Sequence, residues 1–191
     1  MKALVMTLGI SLSLLIGGCA VSPQSVVVNP QASVSGPAYG QGRALAIEVE
    51  DRRASSVLGT RGGVYESSSV ITIANSIDDA LLLATSKAAL QLGFDGTSSA
   101  TPATMTVMLD ELHYDTKTQG IVNNISIDAK ITIIVRVGGS SHTGHYQTQR
   151  SHKLTKFPNA QENQAFVNEV LSTSLERGFS DLSLANFLAK N

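Results

Sequence analysis

Eight apolar residues in the second half of the chain, Ile121, Ile125, Ile127, Ala129, Ile131, Ile133, Val135 and Val137, all fall on odd positions. Ser126, Asp128, Lys130, Thr132 and Arg136 fall on the even ones. A period of two sustained over that length admits one structure, a long strand with one face in a core and the other in water. Its neighbours follow from it. Gly138-Gly139 turns the chain, and residues 140–154 return as a third, more polar strand near a sheet edge. Upstream, Met105, Val107 and Leu109 share a face, and the parity then shifts to Leu112 and Tyr114. A bulge near Asp110-Glu111 produces such a shift. Residues 115–120 read as the polar turn that joins this strand to the long one.

Two further strands and two helices complete the pattern. Leu45, Ile47 and Val49 alternate with Ala46, Glu48 and Glu50, then give way to Asp51-Arg52-Arg53. A polar loop carrying Gly59, Gly62 and Gly63 precedes a second strand over residues 67–74. Ser76 reads as a helix cap with Asp79 at the capping-box position, and Ile77, Leu81, Ala84, Ala88 and Leu92 recur at helical spacing up to the stop at Gly93. Asn159 and Glu162 open the last helix in the same way. Its stripe is Phe166, Val167, Val170, Leu171, Leu175, Phe179 and Leu182, Gly178 bends it or permits close packing, and Phe187 and Leu188 dock the C-terminal residues. The order β-β-α-β-β-β-α predicts an α+β fold, with a largely antiparallel sheet of about five strands and two helices packed on one face.

The N-terminal region has a different character. Met1-Lys2 is followed by an apolar run from Ala3 to Ile16 and then Gly17-Gly18-Cys19. One cation, a short apolar run and small residues are the anatomy of a secretory signal. The run is shorter than the roughly 20 residues that a membrane-spanning helix needs. Ile16-Gly17-Gly18-Cys19 is similar to the lipobox of bacterial lipoproteins. That similarity implies cleavage between Gly18 and Cys19, and lipid on the Cys19 thiol and amine. Cys19 is the only cysteine, so the domain holds together without an internal disulfide. Residues 20–42 are rich in Ser, Pro, Gly, Gln and Val, with Pro23, Pro30 and Pro37 as punctuation. The expected organisation is a signal peptide at 1–18, a lipidated N-terminus and tether at 19–43, and one α+β periplasmic domain at 44–191. Segments 25–28 and 32–34 are candidates for a short extended addition to the sheet edge. Lipoproteins with aspartate after the cysteine are commonly retained in the inner membrane, whereas Ala20 follows here. The expectation is therefore the outer membrane, periplasmic side, in a Gram-negative cell.

From these residues upward the chain resembles the YajG family of uncharacterised bacterial lipoproteins. The resemblance is most specific between Leu109 and Ile134, in Leu112 and Tyr114, Gln119-Gly120, Asn124-Ile125, and Ala129-Lys130 with the isoleucine-rich strand. Asp51-Arg52-Arg53 and the lipobox share in it. It implies an outer-membrane lipoprotein of unknown biochemistry, and it carries over no catalytic or ligand residues.

Chemistry-bearing residues are sparse. The formal net charge is -1, aromatics make up 5% and Trp is absent, which argues against a nucleic-acid partner. His142 and His145 lie on opposite strand faces by parity, His142 and His152 lie ten residues apart, and His113 meets them only from a neighbouring strand. Asp110, Glu111, Asp115 and Asp128 are acidic, but parity sets Asp110 against Glu111. Residues 59–63 lack the ending of a phosphate loop. No serine sits in a nucleophile elbow. The reading is not an enzyme, with no catalytic, cofactor-binding or metal residues. It is a membrane-held, non-catalytic module that contacts an envelope protein or a second copy of itself, through residues 51–65 or the polar edge at 142–150. The alternative is a small-ligand or metal-binding domain using His142, His145 or His152.

Overall fold

The structure, a computed structural model, describes residues 22–34, 37–63 and 66–191. Gly18 and Cys19 lie outside the described residues. Seven strands form one sheet: β1 (Gln24–Val26), β2 (Leu45–Asp51), β3 (Val57–Thr60), β4 (Val70–Ile73), β5 (Ala103–Gln119), β6 (Val122–Val137) and β7 (Ser140–Leu154). The helices are α1 (Ile77–Gln91), α2 (Ala160–Phe179) and α3 (Leu182–Lys190). The order across the sheet is β1-β4-β3-β5-β6-β7, with β2 also on β5.

The long alternating segment is β6. Its odd side chains Ile125, Ile127, Ala129, Ile131, Ile133 and Val135 are all buried. They meet Met105, Val107, Leu109, Leu112 and Tyr114 from β5 and the apolar stripes of the helices in a single core. Burying one such branched side chain contributes about 1.5–3 kcal/mol, so this pattern alone selects which face the helices cover. α1 packs on β2, α2 on β7 and β6, and α3 on β7. Ser76 Oγ accepts from Asp79 N, and Asn159 and Glu162 form a complete reciprocal capping box. At Gly178 a side chain would meet Ile133 Cδ1 at 2.4 Å, so this glycine lets α2 approach β6 closely.

The fold is α+β, but its sheet has seven strands and is mixed rather than five and largely antiparallel. β5 is long enough to be shared. β2 pairs with its first half in parallel, from Leu45–Ala103 to Asp51–Leu109, and β3 touches its second half in parallel at Gly59–Tyr114. β1 pairs with β4 in parallel. Only the β3–β4, β5–β6 and β6–β7 pairings are antiparallel. β3 falls in the stretch expected as loop, because four residues with a glycine carry too little alternation to read. The expected last helix ends at Phe179, and a third helix begins at Leu182 behind the cap of Asp181 on Ser183 N.

The described part of the expected tether is docked. β1 overlaps the segment 25–28 expected at the sheet edge, beginning one residue earlier at Gln24. From there residues 27–33 run along α2, whose side chains take successive backbone donors. Val27 N donates to Gln164 Oε1 at 3.0 Å, Asn29 N to Asn168 Oδ1 at 2.6 Å, Gln31 N to Ser172 Oγ at 2.9 Å and Ser33 N to Glu176 Oε1 at 2.9 Å. Composition reads this stretch as free because its partners lie far along the chain.

Candidate functional site

Helices cover one face of the sheet. The other displays the even side chains of β6 with their neighbours from β5 and β7. The bulge expected at Asp110-Glu111 is present, since the register shifts between Leu109 and Glu111. Asp110 is the extra residue. Its carboxylate accepts from Thr132 Oγ1 at 2.5 Å and lies 3.7 Å from Arg52 Nη1. Glu111 lies 3.6 Å from Lys130 Nζ. Both acids therefore stand on the open face, which corrects the parity reading that opposed them. A bulge adds one residue and returns the next side chain to the same side.

Thr132 Oγ1 also lies 2.8 Å from His145 Nδ1. A hydroxyl has one proton, and the Asp110 carboxylate, which only accepts, takes it. His145 Nδ1 then carries a hydrogen and donates to Thr132, and Nε2 lies outside this chain of bonds. The chain His145–Thr132–Asp110 is thus ordered in one direction, with Arg52 balancing its acidic end. Arg52, Met108, Asp110, Lys130, Thr132, Ile134, Thr143 and His145 surround a shallow hollow of ≈ 580 Å³. The sequence signals for this group were the bulge and the shared parity of Lys130 and Thr132. His145 joins them through the β6–β7 register, which pairs it with Thr132.

The other histidines go elsewhere. His142 and His152 face the helices. His152 stacks on Phe166 with ring centroids 3.8 Å apart, and His142 lies 5.8 Å from Phe187 and 3.8 Å from Asp181 Oδ2. His113 is exposed on the open face, opposite Asp128. Among the described residues no three His, Cys, Asp or Glu converge as a metal site would require. Asp115 pairs with Lys117 at 3.4 Å, while Asp128 accepts from Ser126 and Gln149.

Asp51-Arg52-Arg53 splits by strand geometry. Arg53 turns back on Asp51 with Nε 2.8 Å from Oδ1 and Nη2 2.7 Å from Oδ2. Burial raises the Asp51 carboxyl, but the hydrogen bonds and charge of Arg53 outweigh it and hold the group below its ordinary value. Arg52 alone faces the hollow. In the glycine loop, Arg61 is buried, so it is not a contact residue. Its Nη1 donates to Ser22 O at 2.8 Å and its Nη2 to Pro158 O at 2.9 Å. Gln24's amide sits between this guanidinium and Asn163. Asn163 accepts from the buried Tyr114 hydroxyl at 2.7 Å. Arg61 thus clamps the first described residues to the start of α2.

A family model described as "Uncharacterized lipoprotein" matches residues 30–189. That span contains the Leu109–Ile134 region in which the likeness to the YajG lipoproteins is most specific. No curated protein matches the chain. Among solved structures, an uncharacterised protein is 13% identical, covering 82% of this chain and 100% of its own at a TM-score of 0.45. A protein from Xanthomonas campestris is 11% identical, covering 86% and 99% at 0.46. A minor lipoprotein from Acinetobacter baumannii is 10% identical, covering 78% and 92% at 0.42. These are distant likenesses.

Proposed function

This chain belongs to the uncharacterised lipoprotein family, and from that premise we propose that it is a non-catalytic envelope module. Lipid on Cys19 holds it in the outer membrane facing the periplasm, and its open sheet face engages a protein partner. The observation that carries the partner reading is the ordered array Arg52–Asp110–Thr132–His145 on a sheet face that no helix among the described residues covers. Side chains already fixed by one another lose little freedom when a partner docks. The order of the groups supports a binding role over a hydrolytic one. A nucleophilic hydroxyl needs the imidazole between itself and the acid, whereas here the hydroxyl stands in the middle. Ala20 supports transfer outward, and among the described residues no helix is long and apolar enough to cross a membrane.

Two measurements test this reading. Cys19→Ala releases the protein from membranes on fractionation, and wild type recovered only in the inner membrane contradicts the localisation. Photo-crosslinkers at His113 and Gln147, both exposed on the open face, give specific protein adducts in cells that a probe at Lys190 does not. Equal adducts from all three positions sink the partner reading.

A small ligand is the second reading, favoured by one observation. The bond to Thr132 leaves His145 Nε2 pointing away from Asp110, beside a hollow that Arg52 and Lys130 also line. Calorimetry with inorganic phosphate and small carboxylates tests it. Heat at micromolar concentration that Thr132→Val abolishes supports the reading, and no heat removes it.

A further inference from the structure

The direction of each strand places the N-terminal residues at one end of the sheet. β5 runs toward the turn at Gly120-Ile121. β3 is parallel to β5, β4 antiparallel to β3, and β1 parallel to β4. β1 therefore runs against β5 and enters the sheet from the end at which β5 leaves it. The contacts agree. Ser22 O is held by Arg61, and the neighbouring Gly62 lies against Thr116 and Phe157.

Beyond the Thr116–Ile125 pair the hairpin continues through three more pairs, Lys117–Asn124, Thr118–Asn123 and Gln119–Val122. At about 3.4 Å per residue the turn stands roughly 15 Å past Thr116, and so past the level of Ser22. Cys19 precedes Ser22 by three residues, which span roughly 11 Å at full extension. The hairpin thus projects further than the chain between Cys19 and the docked Ser22 can reach. A lipid on Cys19 cannot enter a bilayer at this end without bringing the turn to the same surface.

Ile121 caps that turn and is 79% exposed, the most exposed large apolar side chain among the described residues. Lys117, Lys153 and Lys156 lie at the same end with Asp115 and Glu162. Lys117 is paired with Asp115 and Lys156 with Glu162. Two of the three lysines are thus neutralised by pairing, so the apolar tip and the short span determine the contact. An apolar side chain beside polar neighbours suits the boundary between headgroups and acyl chains.

We propose that the β5–β6 hairpin end rests against the phospholipid headgroups, with Ile121 in the interface and the sheet standing up from the membrane. This rests on lipidation of Cys19. It adds that the anchor is a short strap that orients the domain, with the β6–β7 turn at the far end.

Lipid on Cys19 consumes the only native thiol, so one introduced cysteine can be labelled alone. The lipidated full-length protein carries an environment-sensitive fluorophore at Ile121→Cys or, as the far-end control, Gly139→Cys, where a side chain meets open space. It is reconstituted in vesicles of phosphatidylethanolamine and phosphatidylglycerol containing brominated lipid. The label at 121 is expected to show blue-shifted emission and several-fold stronger quenching than the label at 139. A flexible Gly-Ser spacer between Val21 and Ser22 is expected to bring the two together. Equal, water-like emission at both positions in vesicle-bound protein overturns the proposal. So does quenching at 121 that the spacer leaves unchanged. Mass measurement separates the two failures. Protein without the diacylglycerol mass that does not float with vesicles refutes the anchor, and this orientation falls with it. Lipidated, floating protein with an exposed tip refutes the orientation alone.

Discussion

Tyr114 shows what a single buried polar atom demands. Its ring is 1% exposed in the core, and burial pushes its phenol up to about 12 against smaller opposing effects from Thr116 and Arg61. Its hydroxyl donates to Asn163, which has no exposure of its own. Tyr114→Phe keeps the ring and strands the amide oxygen. The expected loss is about 1–3 kcal/mol in urea unfolding. Asp51 makes a different prediction, in pH. Its folded carboxyl is held below its ordinary value, so its contribution is full above the unfolded pKa and drains away as pH falls through the folded one. Urea midpoints are expected to decline below about pH 4, and Asp51→Asn flattens part of that slope. An unchanged slope in the variant removes the Asp51–Arg53 pair from the account.

At the scale of elements, pairing depends on a few backbone approaches. Gly59 has φ +157 and faces Tyr114, where an added Cβ would stand 1.7 Å from the carbonyl oxygen. Both partners are backbone, so neither can step aside. Gly59→Ala is expected to lift β3 from β5, at a cost of about 3 kcal/mol or more in thermal unfolding. Arg61→Met keeps an aliphatic stem but loses the donors to Ser22 O and Pro158 O. Hydrogen exchange in residues 24–28 is expected to quicken tenfold or more, from a loss of about 1.5–3 kcal/mol, while β6 stays protected. Uniform acceleration across the sheet contradicts the clamp. Elements with a strong local signature were legible in the sequence. β6 announced itself by period, α1 and α2 by caps at Ser76 and Asn159, and the bulge by the parity change after Leu109. Direction and sharing of strands were not legible, because whether β2 and β3 run parallel or antiparallel to β5 is decided by contacts more than fifty residues away. The candidate site was half legible for the same reason. Parity put Lys130 and Thr132 on one face, but only the β6–β7 register brings His145 to Thr132, and only the bulge keeps Glu111 on the same face as Asp110.

At the scale of the molecule, the first described residues close onto the last long helix. The hydrogen bonds from residues 24–33 to Pro158 and α2 join positions 134 to 143 apart in sequence. Closing a flexible loop of that length costs about 4 kcal/mol beyond the constant for short loops. This gives the docked segment a meaning in time. On the proposed export route a chain that emerges N-terminus first presents these residues at the outset, but residues 27–33 have nothing to lie along until α2 has followed. During that interval β1 holds to β4 only through the three pairs Gln24–Ile71, Ser25–Thr72 and Val26–Ile73, and a β4 that loses it offers open donors and acceptors to whatever strand it meets. Attachment to lipid near the leading end would meanwhile crowd such half-finished chains onto one surface. On that route the interval between emergence of β4 and arrival of α2 is the one in which a chaperone that covers strand edges would matter most.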